Sequence, residues 1–332
     1  MMQQFDPTLP QRILNLEQNG FESLALEVFR LQAEHNALYR QYLQCLKCDP
    51  LSVHKTADIP FLPIGFFKGH EVKTGAWQPE AVFESSGTGT GARSRHAIPG
   101  VNFYLEVTEQ IFKAAYGPLD EFIILALLPS YLERQHSSLV LMAQHFMELS
   151  GHPLSGFYLY EHNELIAAVE KALGTGKKVL LLGVSFALLD LAEQGPFDWK
   201  NLIVMETGGM KGRRQELIRE ELHNILCNAF GVSYIHSEYG MTELLSQAYA
   251  ARKGLFIAPP WMQVYIREVN DPFKQIAAGR TGGINVVDLA NYSTCSFIET
   301  ADLGLKHENG TFEVLGRFDN SEARGCNLML YS

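Results

Sequence analysis

The sequence predicts a doubly wound α/β fold, with a largely parallel sheet covered by helices on both faces, followed by a β-rich C-terminal part. Between residues 80 and 250, short apolar runs typical of buried strands, such as Phe122–Leu128 and Val179–Val184, alternate with segments of helical periodicity. Beyond residue 255 the helical periodicity fades and short strand patterns take over. These two observations favour one α/β core with a smaller β-rich region attached to it.

Each element is assigned from its hydrophobic period and from the Gly and Pro residues that bound it. Helices are predicted at 11–48, 101–116, 135–149, 162–173, 186–193 and 215–230. Strands of the α/β part are predicted at 81–83, 122–128, 179–184, 201–206 and 232–235. Strands of the β-rich part are predicted at 264–269, 283–288, 296–299 and 311–315. We therefore expect an N-terminal helical segment (1–57) packed on an α/β core (58–255), with the β-rich part (256–332) completing the same domain.

Composition excludes several classes of protein. The 332 residues are 46% hydrophobic and 19% charged, which is typical of a globular chain with a large core. The net charge of −10 argues against a broad nucleic-acid surface. No apolar run approaches the ~20 residues of a membrane helix, so no membrane span is expected. Five scattered cysteines, an odd number, suit a reducing cytoplasm.

The segment Glu84–Arg93 has the composition of a phosphate-binding loop. Three glycines free the backbone to turn its N–H groups toward an anion, and four Ser and Thr hydroxyls add donors. Arg93 and Arg95 add positive charge. It is not a Walker A loop, because G-x-x-x-x-G-K-[ST] is absent. Phosphate binding and a plain flexible turn both remain open for this loop taken alone.

Three further loops carry polar or glycine-rich motifs. Gly208 and Gly209 follow the strand 201–206 and would let a flat ligand approach the backbone, although an ordinary strand-to-helix turn explains them too. The segment Ser237–Glu243 combines an aromatic ring, a hydroxyl and a carboxylate, and a carboxylate beside phosphate commonly holds Mg²⁺. Thr300 and Asp302 are expected at a turn, where the acid could accept two ribose hydroxyls.

The order and spacing of these motifs resemble the adenylate-forming superfamily of acyl-CoA synthetases, peptide-synthetase adenylation domains and luciferases. Tyr239–Glu243 matches the Y-G-x-T-E motif, Thr300–Asp302 is similar to T-G-D, and Gly316–Asp319 matches G-R-x-D. Within the superfamily, the short length and Arg324–Leu328 look most like the acyl-protein synthetase of the bacterial bioluminescence fatty-acid reductase.

The resemblance implies an acid–thiol ligase that uses ATP and Mg²⁺ to convert a fatty acid into an acyl-adenylate and then a thioester on protein. It implies catalytic roles for Thr242 on the α-phosphate, Glu243 as the Mg²⁺ ligand, Arg317 at the ribose or phosphate, and Cys326 as the acyl acceptor. It also implies a set of nucleotide-binding residues: Ser85, Ser86, Gly87, Thr88, Gly89, Gly208, Gly209, Tyr239, Asp302 and Arg317. Tyr239 would stack on adenine, and Asp302 would bind the ribose hydroxyls.

The sequence departs from the superfamily in two places. The phosphate loop lacks the usual Lys, for which Arg93 or Arg95 could substitute. The sequence ends 13 residues after Asp319, so the superfamily's small mobile C-terminal domain, with its reactive Lys, is expected to be absent. Lys211, Arg213, Arg214 or a partner chain could take that role, or adenylation could be slow or lost.

Several alternatives remain open at the sequence level. Cys326 could accept the acyl group or could be a buried residue of a terminal strand. The acyl group could instead pass to coenzyme A or a carrier protein, and a reductase is a further candidate partner. His236 lies near Tyr239 and could contact substrate. A non-catalytic subunit that only binds nucleotide or acyl groups would carry the same motifs.

Overall fold

A computed structural model describes residues 6–85, 92–129, 136–208 and 217–318 of the chain. The helices are α1 (Leu9–Leu14), α2 (Phe21–His35), α3 (Ala37–Cys45), α4 (Phe66–Gly69), α5 (Val101–Tyr116), α6 (Ser138–Ser150), α7 (His162–Leu173), α8 (Ser185–Ala192) and α9 (Arg219–Phe230). The strands are β1 (Leu62–Pro63), β2 (Ala81–Glu84), β3 (Arg95–Ile98), β4 (Phe122–Leu127), β5 (Gly156–Tyr158), β6 (Lys178–Gly183), β7 (Leu202–Glu206), β8 (His236–Tyr239), β9 (Ala248–Ala250), β10 (Met262–Arg267), β11 (Gly282–Asp288), β12 (Phe297–Lys306) and β13 (Phe312–Arg317).

A six-stranded sheet forms the α/β core in the order β5-β4-β6-β7-β8-β9. Its strands run parallel, except that β9 is antiparallel to β8 at one edge. All six residues of β4 are buried, which is why this strand reads as a continuous apolar run rather than an alternating one. The predicted α/β architecture is confirmed.

A five-stranded sheet forms the β-rich part in the order β1-β12-β11-β10, with β13 also paired to β12. All pairs are antiparallel except β1 with β12. Gly304 lies where β12 and β13 approach closely, since a Cβ there would overlap the carbonyl oxygen of Glu313. This sheet carries the predicted T-x-D and G-R motifs on neighbouring strands.

The N-terminal helices pack on the five-stranded sheet. The rings of Phe29 and Tyr39 contact Phe297 of β12, at centroid distances of 5.8 and 6.3 Å. The side-chain amide of Gln32 donates to the carbonyl oxygens of Asn291 and Tyr292, both at 3.1 Å. The N-terminal segment thereby shares one hydrophobic core with the rest of the described chain. The predicted boundaries at residues 57 and 255 stay predictions.

Two predictions about local structure are wrong. The strand expected at 232–235 lies four residues later, at His236–Tyr239, because Gly231 ends α9 in a left-handed conformation and the chain needs a connection before it enters the sheet. Thr300 and Asp302 lie inside β12 rather than at a turn. Both segments bury polar side chains within strands. They therefore lack the apolar pattern by which a strand is predicted from sequence.

Helix boundaries differ by a few residues from the prediction. The segment expected to be helical at 11–48 is divided among α1, α2 and α3, and the helix expected from 215 begins at Arg219. The helices predicted at 101–116 and 162–173 are confirmed at both ends. In the part of the chain that the structure describes, no helix has both the length and the apolar character needed to cross a membrane.

Candidate active site

Tyr239 ends β8 at the carboxyl edge of the six-stranded sheet and reaches the five-stranded sheet. Its hydroxyl donates a 2.9 Å hydrogen bond to Oδ2 of Asp302 on β12. Its ring makes T-shaped contacts with Phe256 and Phe312, at centroid distances of 5.9 and 5.7 Å. The side chain is 8% exposed, so contact with an adenine base is limited to that small exposed part. The stacking role stays a prediction.

Asp302 and Arg317 face each other across the β12·β13 pair. Nε of Arg317 lies 3.5 Å from Oδ1 of Asp302. The Asp302 carboxyl is largely buried while the Arg317 side chain is 76% exposed. Burial raises the pKa of Asp302, and the charge of Arg317 and the Tyr239 hydrogen bond oppose that rise. The pair therefore combines a buried acceptor with an exposed guanidinium.

Glu243 lies in the turn after β8 and is buried. Burial raises the pKa of its carboxyl, while a hydrogen bond from Ser94 and the charge of Arg317 act in the opposite direction. These influences place Glu243 within electrostatic reach of the Asp302–Arg317 pair. A Mg²⁺ ion fits such a carboxylate, because this ion typically takes one or two protein carboxylates and fills its other positions with phosphate oxygens and water. Among the described residues, no three His, Cys, Asp or Glu side chains form a metal-binding group by themselves.

Buried side chains bind the backbone carbonyl oxygens of Thr242 and Glu243. Nδ1 of His96 lies 2.8 Å from the Thr242 carbonyl oxygen, and Nε2 lies 3.0 Å from the Thr294 hydroxyl. A carbonyl oxygen only accepts, so this geometry requires the tautomer with a proton on Nδ1. The side-chain amide of Asn291 donates to the Glu243 carbonyl oxygen at 2.8 Å. These two bonds fix the backbone of the turn that carries the half-buried Thr242.

The hairpin β2–β3 positions the predicted phosphate loop. The backbone N–H of Ser94 donates to the Ser85 hydroxyl at 3.0 Å, and the Ser85 N–H donates to the Ser94 carbonyl oxygen at 3.0 Å. Arg93 and Arg95 pair with Glu84 at 3.8 and 3.5 Å, so both predicted cations already have a partner at the base of the loop. Ser86, Gly87, Thr88 and Gly89 lie outside the described residues.

Gly208 follows β7 and turns around a buried carboxylate that the sequence analysis did not single out. The Gly208 N–H donates to Oε2 of Glu206 at 2.6 Å, and Nε of Arg219 lies 3.5 Å from Oε1. Burial opposes ionisation of Glu206, but hydrogen bonding to His223 and the charge of Arg219 lower its pKa overall. Gly208 has φ +73°, which only glycine adopts readily. Gly209, Lys211, Arg213 and Arg214 lie outside the described residues.

Two further candidate residues, His236 and Cys295, are buried and hydrogen-bonded within the protein. Nδ1 of His236 lies 3.2 Å from the Tyr116 hydroxyl, and burial lowers the pKa of the ring to about 4. Cys295 is fully buried, and burial raises the pKa of its thiol to about 12. Such a thiol is a poor nucleophile, so Cys295 is a weak alternative to Cys326 as an acyl acceptor. Cys326 itself lies outside the described residues.

The structure therefore brings Tyr239, Glu243, Asp302 and Arg317 together at the edge where the two sheets meet. A family model described as acyl-protein synthetase, LuxE, matches residues 159–332, which is just over half of the chain. The chain belongs to this family. A comparison with curated proteins gives no match.

Solved structures of adenylate-forming ligases share the fold. ATP-bound MatB from Rhodopseudomonas palustris matches at 17% identity and a TM-score of 0.54, covering 73% of this chain and 49% of its own. A 2-hydroxyisobutyryl-CoA ligase bound to 2-HIB-AMP and CoA matches at 13% identity and a TM-score of 0.67, covering 93% and 71%. A malonyl-CoA ligase bound to methylmalonyl-CoA and AMP matches at 21% identity and a TM-score of 0.51, covering 73% and 53%. The chain thus spans about half the length of MatB.

The sequence analysis identified the motif residues of the site. It missed the residues that support the motif backbone. His96 and Asn291 bind backbone carbonyls of the Thr242–Glu243 turn from segments more than 40 residues away. Glu206 is the last residue of β7. A polar residue at that position is expected simply because the strand ends there, so it does not suggest a functional role. Its one available signal is its position two residues before the glycine pair Gly208 and Gly209.

Proposed function

We propose that this protein activates a carboxylic acid with ATP and transfers the acyl group to a thiol. In the first step a carboxylate oxygen of the acid attacks the α-phosphorus of ATP, and pyrophosphate leaves. In the second step a thiolate attacks the acyl carbon of the adenylate, and AMP leaves. The observation that carries the proposal is the convergence of Tyr239, Asp302 and Arg317 beside the buried Glu243. Family membership supports the same chemistry.

The residues are assigned roles by their exposure and charge. Asp302 is a buried acceptor that suits the two ribose hydroxyls, and the exposed Arg317 can reach the ribose or a phosphate oxygen. The Thr242 hydroxyl, on a turn whose backbone is held by His96 and Asn291, would bind the α-phosphate. These groups orient the two reactants and balance the negative charge that they bring together, and positioning of this kind supplies most of the catalysis in phosphoryl chemistry.

Glu243 would hold Mg²⁺. The bound ion would neutralise charge on the phosphates and on the leaving pyrophosphate. Ionising a buried carboxyl costs free energy, and burial accordingly raises the pKa of Glu243. A divalent cation offsets that cost, so ion binding and ionisation of Glu243 are expected to be coupled.

The finer details of the proposal rest on family resemblance. We propose a fatty acid as the substrate, Cys326 as the thiol that receives it, and a reductase as the protein that consumes the product. The four described cysteines are all free thiols, which supports the proposed cytoplasmic setting. Coenzyme A or a carrier protein is the competing acceptor.

Pyrophosphate release with a panel of carboxylic acids, run with and without coenzyme A, tests the proposal. We expect acid-dependent release in the absence of any added acceptor, with a single turnover if Cys326 retains the acyl group. Turnover that requires coenzyme A would assign the acceptor role to that molecule. Binding of ATP with no release for any acid would identify a non-catalytic binding subunit.

A further inference from the structure

Strand β12 bulges away from β11 at the motif that contains Asp302. The register of the β11·β12 pair shifts between Gly283 and Asn285, so that Ile284 alone faces three residues of β12 (300–302). A bulge of this kind interrupts the hydrogen-bond ladder and redirects the side chains that it carries. The orientation of the Asp302 carboxyl therefore depends on the groups that hold the bulge.

The guanidinium of Arg267, the last residue of β10, binds across this gap in the ladder. Its Nη2 donates to the carbonyl oxygen of Thr300 at 3.0 Å, and its Nη1 donates to the carbonyl oxygen of Ile284 at 3.4 Å. Nη2 also lies 3.3 Å from Oε1 of Glu299. Arg267 is only 6% exposed, so it makes these contacts in the interior. An arginine suits three acceptors at once, because its planar head carries five N–H donors in a fixed fork.

The hydroxyl of Thr300 completes the bulge. It donates to the carbonyl oxygen of Ile284 at 2.8 Å and accepts from the backbone N–H of Asp302 at 3.1 Å. Arg267 binds the carbonyl oxygens of both Thr300 and Ile284, so it fixes the two residues through which the Asp302 backbone is held. Displacement of Arg267 would remove a donor from two buried carbonyl oxygens, and the bulge would shift to recover those bonds.

Gly283 clears the path by which Arg267 reaches β12. The two residues are directly opposite each other in the β10·β11 pair. A Cβ added to Gly283 would overlap the Arg267 guanidinium. The arginine side chain therefore crosses β11 at a position where that strand has no side chain of its own.

The same guanidinium contacts the residue that follows Arg317. Its central carbon lies 5.3 Å from the ring centroid of Phe318, within the range of a cation–π interaction. The backbone N–H of Phe318 donates to the carbonyl oxygen of Ala301, inside the bulge, at 2.7 Å. Arg267 thus contacts both of the strand segments that carry the Asp302–Arg317 pair.

On the premise that Asp302 binds the ribose hydroxyls of ATP, we propose that Arg267 is a positioning residue that holds the β12 bulge so that the Asp302 carboxyl faces those hydroxyls. Its charge acts in the same sense. Burial raises the pKa of Asp302, and the charge of Arg317, the Tyr239 hydrogen bond and the charge of Arg267 oppose that rise. Because Arg267 acts through Asp302, its loss should matter only for a nucleotide that carries the hydroxyls.

The test compares ATP with dideoxy-ATP, the analogue that lacks both ribose hydroxyls. Isothermal titration with the full chain and Mg²⁺ gives both affinities. We expect the native chain to bind ATP about ten- to a hundredfold more tightly than the analogue, because the analogue leaves a buried acceptor without its donors. Arg267→Lys keeps the charge but cannot reproduce the fork of donors, and we expect it to lose about tenfold of this preference with unchanged affinity for the analogue.

Gly283→Ala provides a second, independent variant. It keeps every atom of Arg267 but displaces the guanidinium, so the same loss of preference is expected. Either variant tests the proposal by itself if the other fails to fold, and thermal unfolding of each chain monitors the fold. Arg280→Gln, at an exposed arginine between β10 and β11, is the matched control and should retain the native preference.

A combined variant separates positioning from a general structural role. Arg267→Lys should cause no further loss of ATP affinity when Asp302 is already replaced by Asn, because the two residues act on one interaction. Additive losses in the combined variant would overturn the proposal. Equal losses of affinity for ATP and dideoxy-ATP in Arg267→Lys or Gly283→Ala would also overturn it, since a general distortion of the site affects both nucleotides.

Parallel measurements of pyrophosphate exchange separate this proposal from the proposed function. A ribose preference that Arg267→Lys removes, found in a chain that exchanges no pyrophosphate, would support the positioning role and contradict the proposed activity. Acid-dependent exchange by a chain whose ribose preference survives in both variants would overturn the positioning role and leave the proposed activity in place. A native chain that binds ATP and dideoxy-ATP equally, or binds neither, would overturn the positioning role.

Discussion

The hydroxyl of Tyr239 donates a 2.9 Å hydrogen bond to the Asp302 carboxylate, and this bond joins the six-stranded sheet to the five-stranded sheet. Tyr239 is the last residue of β8 and Asp302 lies inside β12. Each residue belongs to a motif that the sequence analysis assigned to a different part of a bound nucleotide. Their direct contact brings the two motifs together at one place in the fold.

Asp302→Asn should weaken ATP binding. The substitution keeps the size of the side chain but removes the negative charge that would accept two ribose hydroxyls, and a charge-assisted hydrogen bond is worth about 1.5–3 kcal/mol. We expect the dissociation constant for ATP to rise about ten- to a hundredfold in isothermal titration. Tyr239→Phe serves as the companion variant, because it keeps the carboxylate and removes only the bond between the sheets. Unchanged ATP affinity in Asp302→Asn would remove Asp302 from the nucleotide site.

Glu243→Gln should lower the rate of adenylation more than it weakens ATP binding. A metal ion at this residue stabilises charge that develops on the leaving pyrophosphate, so its contribution grows in the transition state. The amide is similar in size to the carboxyl and can still contact Ser94, so the turn should keep its shape. Single-turnover kinetics and titration at several Mg²⁺ concentrations measure both quantities. Equal losses in rate and affinity would indicate a structural role for Glu243.

Cys326→Ser should abolish a stable thioester but preserve the activation step. The native chain, given ATP and a radiolabelled fatty acid, should acquire a covalent label that neutral hydroxylamine releases. The variant should show no such label and should still release pyrophosphate. Cys295→Ser is the matched control, since the Cys295 thiol is fully buried and burial raises its pKa to about 12. A label that persists in Cys326→Ser would move the acceptor to another residue.

The stability of the fold should fall as the pH drops from about 6.5 to about 4. Burial lowers the pKa of His96 to about 4, so the folded chain keeps this ring neutral while the unfolded chain protonates it below its ordinary pKa. Within that window the unfolded state binds more protons, and the free energy of unfolding therefore decreases with acidification. His236, whose pKa burial also lowers to about 4, adds to the same trend.

Denaturant unfolding of His96→Gln at pH 7, 5.5 and 4.5 measures the contribution of His96. We expect the variant to be less stable at pH 7, because it loses the bonds to Thr242 and Thr294, but to show a shallower decline with acidification. His54→Gln, at an exposed histidine, should reproduce the native slope. A slope in His96→Gln as steep as the native one would show that His96 is not protonated on unfolding.

The sequence predicts the parallel core well because its strands are buried on both faces. β4 and β6 are short, apolar and bounded by turns, and few other structures give that pattern.

The sequence analysis misplaced β8 because its four residues are His, Ser, Glu and Tyr, all of them buried. Their burial depends on partners in other elements, such as Tyr116 and Asp302, and no local pattern contains that information.

The motif residues of the site could be predicted from the sequence. The residues that hydrogen-bond to the motif backbone could not. Tyr239, Glu243, Asp302 and Arg317 stand out because they belong to short motifs that follow one another in a characteristic order and spacing. His96 and Asn291 each make a bond to one backbone carbonyl, an interaction that requires no particular spacing in sequence.

Exchange of radiolabelled pyrophosphate into ATP, measured with the native chain across a panel of carboxylic acids, tests the central claim most directly. The reaction detects reversible formation of an acyl-adenylate and needs no acyl acceptor. We predict exchange that depends on both the acid and Mg²⁺, and that falls at least tenfold in Asp302→Asn. Acid-independent exchange, or no exchange with any acid at saturating ATP, would contradict the claim that the Tyr239–Asp302–Arg317 site activates carboxylic acids.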